Sequence, residues 1–202
     1  MNQFELCRDD GPLARVLGAT LGTVVRLPAI ALVAIAVLPL LVLPAIEGSS
    51  ASDAAVAAVL GWFVLVAGAS SGRPHTDPLR WAVPPLLRLG EYAGILWLGA
   101  LAGGSGPAAA FALLAVLAFR HYDLFYRPRF VGAAPPARSP SHRGGWEGRL
   151  IVAYVLLLAG ALPAGLFAMA GILGALFVAE SVLAWSQRVG RREQGGPKVE
   201  VE

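Results

Sequence analysis

Residues 27–46 read LPAIALVAIAVLPLLVLPAI, twenty consecutive positions without a charged side chain. At about 1.5 Å of rise per residue, a helix of that length covers about 30 Å, the thickness of a bilayer's hydrocarbon core. Twenty-six residues precede the run, and it is longer than the roughly 7–15 apolar residues of a secretory signal, so a retained membrane helix is expected. Pro28, Pro39 and Pro44 are expected to bend it.

The same pattern recurs on the C-terminal side. The chain has 202 residues, of which 56% are hydrophobic and 14% charged, with a mean hydropathy of +0.65. Soluble domains carry about 25% charged residues, so this composition lacks the polar surface a soluble fold of the same size would need. Spans are expected at about 27–46, 54–71, 81–102, 107–126, 149–163 and 165–186. The last two follow from the run Leu150–Trp185, interrupted only by Glu180. As one helix it would measure about 54 Å, too long for one ~30 Å core, and Pro163-Ala164-Gly165 is the natural break. The fold class is therefore all-α: a polytopic bundle of six transmembrane helices.

Around the bundle, residues 1–26 read as a cytoplasmic or interfacial segment. Within it Asp10 is a candidate N-cap and Pro12 falls in a first helical turn. Residues 128–148, rich in Pro, Gly, Ser and Arg, form a long cytoplasmic loop. Residues 187–202 read as a disordered tail.

Charge placement orients the bundle. With six spans the N-terminus, the second and fourth connections and the C-terminus share one side. That side holds Arg8, Arg15, Arg26, Arg73, Arg80, the six Arg between 120 and 149, Arg188, Arg191, Arg192 and Lys198. Of the sixteen cations only Arg88 remains, and it lies inside a span. The positive-inside rule makes the basic side cytoplasmic and predicts a multi-pass protein of the inner (plasma) membrane with both termini inside.

Ionisable groups within spans are costly and point to function. Arg88, Glu91 and Glu180 are the three, at depths of about 10, 15 and 12 Å, and Arg88 is expected to pair with Glu91 or Glu180. At the cytoplasmic ends a second group gathers. Arg80 with Trp81, then Arg120, His121, Tyr122, Asp123, Tyr126 and Arg127, then Trp146, Glu147 and Arg149 mark the ends of spans three, four and five. Trp and Tyr at that level form an interfacial belt, and Arg meets anionic lipid there. A sharper expectation is a basic, aromatic pocket in which Arg80, Arg88, Arg120, His121, Tyr122, Tyr126, Arg127, Trp146 and Arg149 hold a phosphate-bearing headgroup or a polyprenyl phosphate. Alternatives are a membrane enzyme transferring a headgroup or phosphate, with Glu91, Asp123 or Glu147 as base or metal ligand, and a small transporter built around Arg88, Glu91 and Glu180. No cofactor is expected, and a divalent cation only under the enzyme alternative. His121 and Asp123 alternate on a helix and cannot face one ion, and Cys7 is the single cysteine, so no metal site is predicted. Membrane lipids are the expected partners, and nucleic acid is not.

Asp10-Gly11-Pro12-Leu13-Ala14-Arg15 matches the middle of the CDP-alcohol phosphotransferase signature, Asp-x2-Asp-Gly-x2-Ala-Arg-x8-Gly-x3-Asp-x3-Asp. The remaining carboxylate positions are Cys7, Pro28 and Leu32, so that two-metal chemistry is excluded and the match reads as a turn. Arg8–Arg15, Trp81–Arg88 with Glu91-Tyr92, Phe119–Asp123 with Tyr126-Arg127, and Gly145–Arg149 together resemble an actinobacterial integral-membrane domain of unknown function. In that family the domain is often fused C-terminal to CDP-alcohol phosphotransferase domains. The resemblance implies a membrane protein acting near phospholipid or polyprenyl-phosphate metabolism, with such a phosphotransferase as partner, and supplies no catalytic residues.

Overall fold

In a computed structural model, the structure describes residues 8–48, 50–73, 78–131 and 145–194. Among them are seven α-helices and no strand. They are α1 (Pro12–Val24), α2 (Ala29–Glu47), α3 (Asp53–Ala69), α4 (Val83–Ala102), α5 (Gly106–Val131), α6 (Gly145–Leu158) and α7 (Leu162–Gln194). Short 3-10 turns at Ser70–Gly72 and Arg80–Ala82 close α3 and open α4.

Helices α2–α7 lie over the six expected segments, and α4, α5 and α7 stay helical through the charged residues within them. Their tight connections at 48–52, 103–105 and 159–161 make α2/α3, α4/α5 and α6/α7 antiparallel neighbours. The break in the last hairpin falls at Ala159-Gly160-Ala161, where Gly160 takes φ +65, rather than at Pro163. Pro163 is the second residue of α7, in the first turn, where its missing N–H leaves no helical bond unmade. Pro28 likewise stands at the N-cap of α2, so only Pro39 and Pro44 lie within that helix. The helical path of α7 continues through Gln194, into the stretch expected to be a tail; residues 195–202 and most of the expected 128–148 loop lie outside the described residues.

Four helical segments are long and apolar enough to cross a membrane: Ala29–Glu47, Asp53–Gly72, Gly106–Tyr126 and Leu162–Ala184. Their outward faces carry Leu38, Phe111, Ile172 and Val182, each at least 60% exposed, a surface suited to acyl chains and not to water. The other two helices of the bundle differ for physical reasons. At 14 residues α6 is about 21 Å long. Helix α4 contains Arg88 and Glu91 and packs against each of α2, α3, α5, α6 and α7, so most of its surface faces protein. The core runs along α4 through Leu87, Ile95 and Leu98 and takes in Phe63, Leu113, Leu117, Trp146, Leu150 and Leu166, all nearly inaccessible.

Helix α1 is exposed along most of its length, as a surface segment is, and turns one narrow face to the bundle. Ala14, Gly18 and Gly22 are buried, and all three meet the single turn 68–72 that ends α3, so α1 crosses that end steeply. The approach depends on absent side chains. A Cβ on Gly18 would collide with Gly72 N, and one on Gly72 with Gly18 O.

Candidate functional site

The residues just before α1 form the centre of a buried polar cluster. Arg8 is 2% exposed. Its Nε donates to Asp10 Oδ2 at 2.7 Å and its Nη2 to Ser70 Oγ at 3.0 Å. Asp9 adopts φ +54, a left-handed backbone that Asp tolerates better than most residues. That turn sends the Asp9 carboxylate to Arg149 Nη2 at 2.9 Å, while the Asp9 carbonyl accepts from the Trp146 backbone N–H at 3.3 Å.

Glu91 is fully buried between two cations, accepting from Arg88 Nη1 at 2.8 Å and Arg149 Nε at 2.6 Å. Arg88 Nη2 donates to the Arg8 carbonyl at 2.9 Å. The expected Arg88–Glu91 pair is therefore present. Glu180 joins Arg120 instead of Arg88, at 2.9 Å, because α7 packs along α5.

Trp146 and Glu147 secure the turn from α6. The Trp146 ring is fully buried, edge-on to Phe63 with centroids 5.0 Å apart, and its Nε1 donates to Asp10 Oδ1 at 2.9 Å. It is a core residue, in contrast to the interfacial belt residue expected, whereas Trp81 stays 60% exposed. Gly145 takes φ +61, and a side chain there would strike Gly11 N. Glu147 accepts from the backbone N–H groups of Gly11 and Ala14, both at 3.1 Å. Gly11 is the N-cap of α1 and has no side chain of its own to offer, so Glu147 caps α1 from another helix. Asp10, the N-cap candidate from sequence, is turned toward Arg8 and Trp146. Burial pushes the Glu147 carboxyl above its ordinary range, the Asp10 charge adds to that, and the N–H bonds from Ala14 and Gly11 oppose it.

The pocket expected to unite spans three to six is divided in the structure. Arg88, Trp146, Glu147 and Arg149 belong to the cluster around Asp9. Arg120 and Asp123 face α7, where Arg120 pairs with Glu180 and lies 5.1 Å over the Phe177 ring, and Ser181 donates to Asp123 at 3.2 Å. His121 Nδ1 bonds Tyr92 Oη at 2.7 Å. Tyr122 is 62% exposed and stacks on Tyr126 at 4.3 Å. Arg80 is exposed, and the Arg127 side chain lies outside the described residues. Among the described residues no three His, Cys, Asp or Glu side chains group closely enough to hold a metal ion.

Sequence reasoning missed Arg8, Asp9, Asp10 and Ser70. A signal was available. Arg88 and Arg149 sit beside or within apolar runs, and Glu91 alone cannot neutralise both; a second buried carboxylate was required, and Asp9-Asp10 is the one adjacent acidic pair in the sequence. The Asp10–Arg15 lookalike is the start of α1: Asp10 and Gly11 precede the helix and Pro12–Arg15 form its first turn.

A family of unknown function, DUF5941, matches residues 2–202, and the chain belongs to that family. No curated protein matches the chain. No solved structure matches it either.

Proposed function

We propose that this DUF5941 member is an integral-membrane module that engages anionic lipid headgroups or polyprenyl phosphate at its basic end, as an accessory to lipid-headgroup metabolism. The observation that carries the reading is the asymmetry of cations across the bundle. The exposed Arg15, Arg26 and Arg80 lie at the end crossed by α1, whereas the opposite turns 48–52, 103–105 and 159–161 contain neither Lys nor Arg. Exposed guanidinium groups at a bilayer surface attract anionic lipid, at about 1 kcal/mol per cation. The proposed arrangement is six spans in the inner membrane with both termini cytoplasmic, and the proposed protein partner, from the family resemblance, is a CDP-alcohol phosphotransferase.

The state of the carboxylates favours binding over catalysis. Both Glu91 oxygens are held by arginines and both Glu147 oxygens by backbone N–H groups, which leaves neither placed as a base. The test is native mass spectrometry of protein released from membranes containing both phosphatidylglycerol and phosphatidylcholine. Preferential retention of the anionic lipid is expected, with loss of that preference in the Arg15→Gln/Arg26→Gln/Arg80→Gln variant. Equal retention of the two lipids by the unaltered protein would overturn the reading.

A further inference from the structure

We propose that the turn Ser70–Arg73 is a phosphate-binding site whose donors are Arg8 and Arg73. The starting observation is a surplus of donors without acceptors. Arg8 Nη1, Arg73 Nε and Arg73 Nη2 are buried and have no hydrogen-bond partner. A guanidinium carries one hydrogen on Nε and two on each Nη, so five N–H groups are unsatisfied. Each such group held away from water costs about as much as a lost hydrogen bond.

Both residues are tied to Ser70, Arg8 through its side chain and Arg73 through its backbone. Arg8 reaches it through Nη2, which donates to Ser70 Oγ at 3.0 Å, and the Arg73 backbone N–H donates to Ser70 O at 3.2 Å. Among the described residues, the acceptors on Asp10, Ser70 and Ser71 are already engaged. Asp10 takes Arg8 Nε on Oδ2, and Trp146 Nε1 with a longer bond from Arg8 Nη2 on Oδ1. Ser70 Oγ donates to Ala67 O while accepting from Arg8, and Ser71 Oγ donates to Ala14 O. Arg73 makes no ion pair among the described residues. Arg8 shares its charge with Asp10.

The unpartnered edge of Arg73 also has the right chemistry. Nε and one Nη form the side of a guanidinium that grips two oxygens of one oxyanion in parallel, and on Arg73 both of those atoms are the unfilled ones. A phosphate group offers one oxygen pair to that fork and another oxygen to Arg8 Nη1. The choice of phosphate over another oxyanion rests on the headgroup reading above. The same chemistry is presented by a phosphomonoester lipid and by free phosphate, and the experiment separates them.

The full-length protein in uncharged detergent is titrated with inorganic phosphate or with dihexanoyl phosphatidic acid, against chloride at matched ionic strength. Tm is followed by Trp fluorescence. A saturable rise is expected with at least one probe. Arg73→Gln is expected to weaken that probe by about tenfold to a hundredfold, the loss of one or two charge-assisted bonds. Because Arg73 Nε and Nη2 have no partner to lose among the described residues, the ligand-free Tm of the variant is expected to equal or exceed that of the unaltered protein. Response to phosphatidic acid alone assigns the site to a lipid. Response to inorganic phosphate assigns it to a soluble phosphate, and this arm supports the site even if the lipid-retention test above fails. The site is refuted if neither probe raises Tm, if Arg73→Gln binds as tightly as the unaltered protein, or if the variant's ligand-free Tm falls.

Discussion

Replacing Glu147 should release the N-terminal turn while leaving the bundle folded. Its two oxygens accept from Gly11 and Ala14 N–H at 3.1 Å each, in the first turn of α1, where the helix dipole also favours an anion. A hydrogen bond to a charged group contributes about 1.5–3 kcal/mol. The partial desolvation cost that raises the Glu147 carboxyl offsets some of this. A net loss of about 3 kcal/mol for Glu147→Ala is therefore expected, which corresponds to roughly a hundredfold shift in the opening equilibrium of α1. Glu147→Gln keeps one acceptor and turns an NH2 toward the other N–H, and should cost about half as much. Hydrogen exchange measured by mass spectrometry in detergent is the assay. Amides between Ala14 and Gly22 should exchange about a hundredfold faster in Glu147→Ala, with those of α2 and α4 unchanged. Unchanged protection of α1 in a folded variant would refute the capping role.

The pH dependence has a definite sign. A carboxyl whose folded value is raised binds its proton more tightly in the native state, so its contribution is full below the unfolded value of 4.5 and falls as pH rises through the raised folded value. Docking of α1 should thus weaken as pH rises from about 4.5, and Glu147→Gln should remove that component.

Three further outcomes follow from the packing. Glu91→Leu leaves Arg88 and Arg149 facing each other in the interior and should destabilise by about 3–5 kcal/mol in urea titration; adding Arg149→Met should restore part of it, and strict additivity would disprove the coupling. Gly18→Ala should lower Tm, because the new methyl meets Gly72 backbone, whereas Gly61→Ala, where the same methyl meets open space, should be neutral or raise stability by up to about 1 kcal/mol. Trp146→Phe keeps the contact with Phe63 but leaves Asp10 Oδ1 with only the longer bond from Arg8 Nη2, and a loss of about 1 kcal/mol is expected; a Tm equal to that of the unaltered protein would show that the indole bond contributes nothing.

The helical segments and the segregation of cations were legible in the sequence because both are local. Whether Leu27–Ile46 forms an apolar helix depends on those residues and their solvent, and the basic character of each connection is read directly from its composition. The Arg88–Glu91 pair was legible for the same reason, since i, i+3 spacing places both on one helix face. The break before α7 was displaced by four residues because Pro163 permits a helix start as readily as it forces a stop.

Pairings across the chain depended on quantities no single segment contains. Asp9 meets Arg149 across 140 positions, and Glu147 meets Gly11 across 136. Such contacts are fixed by the lateral order and rotation of packed helices, which here follow from where small residues allow close approach. Sequence alone therefore determined that buried charges existed and that they lay near one end of the bundle. Tertiary structure decided which of them meet, because an ion pair in a low-dielectric interior rewards only the geometry that brings both partners within reach.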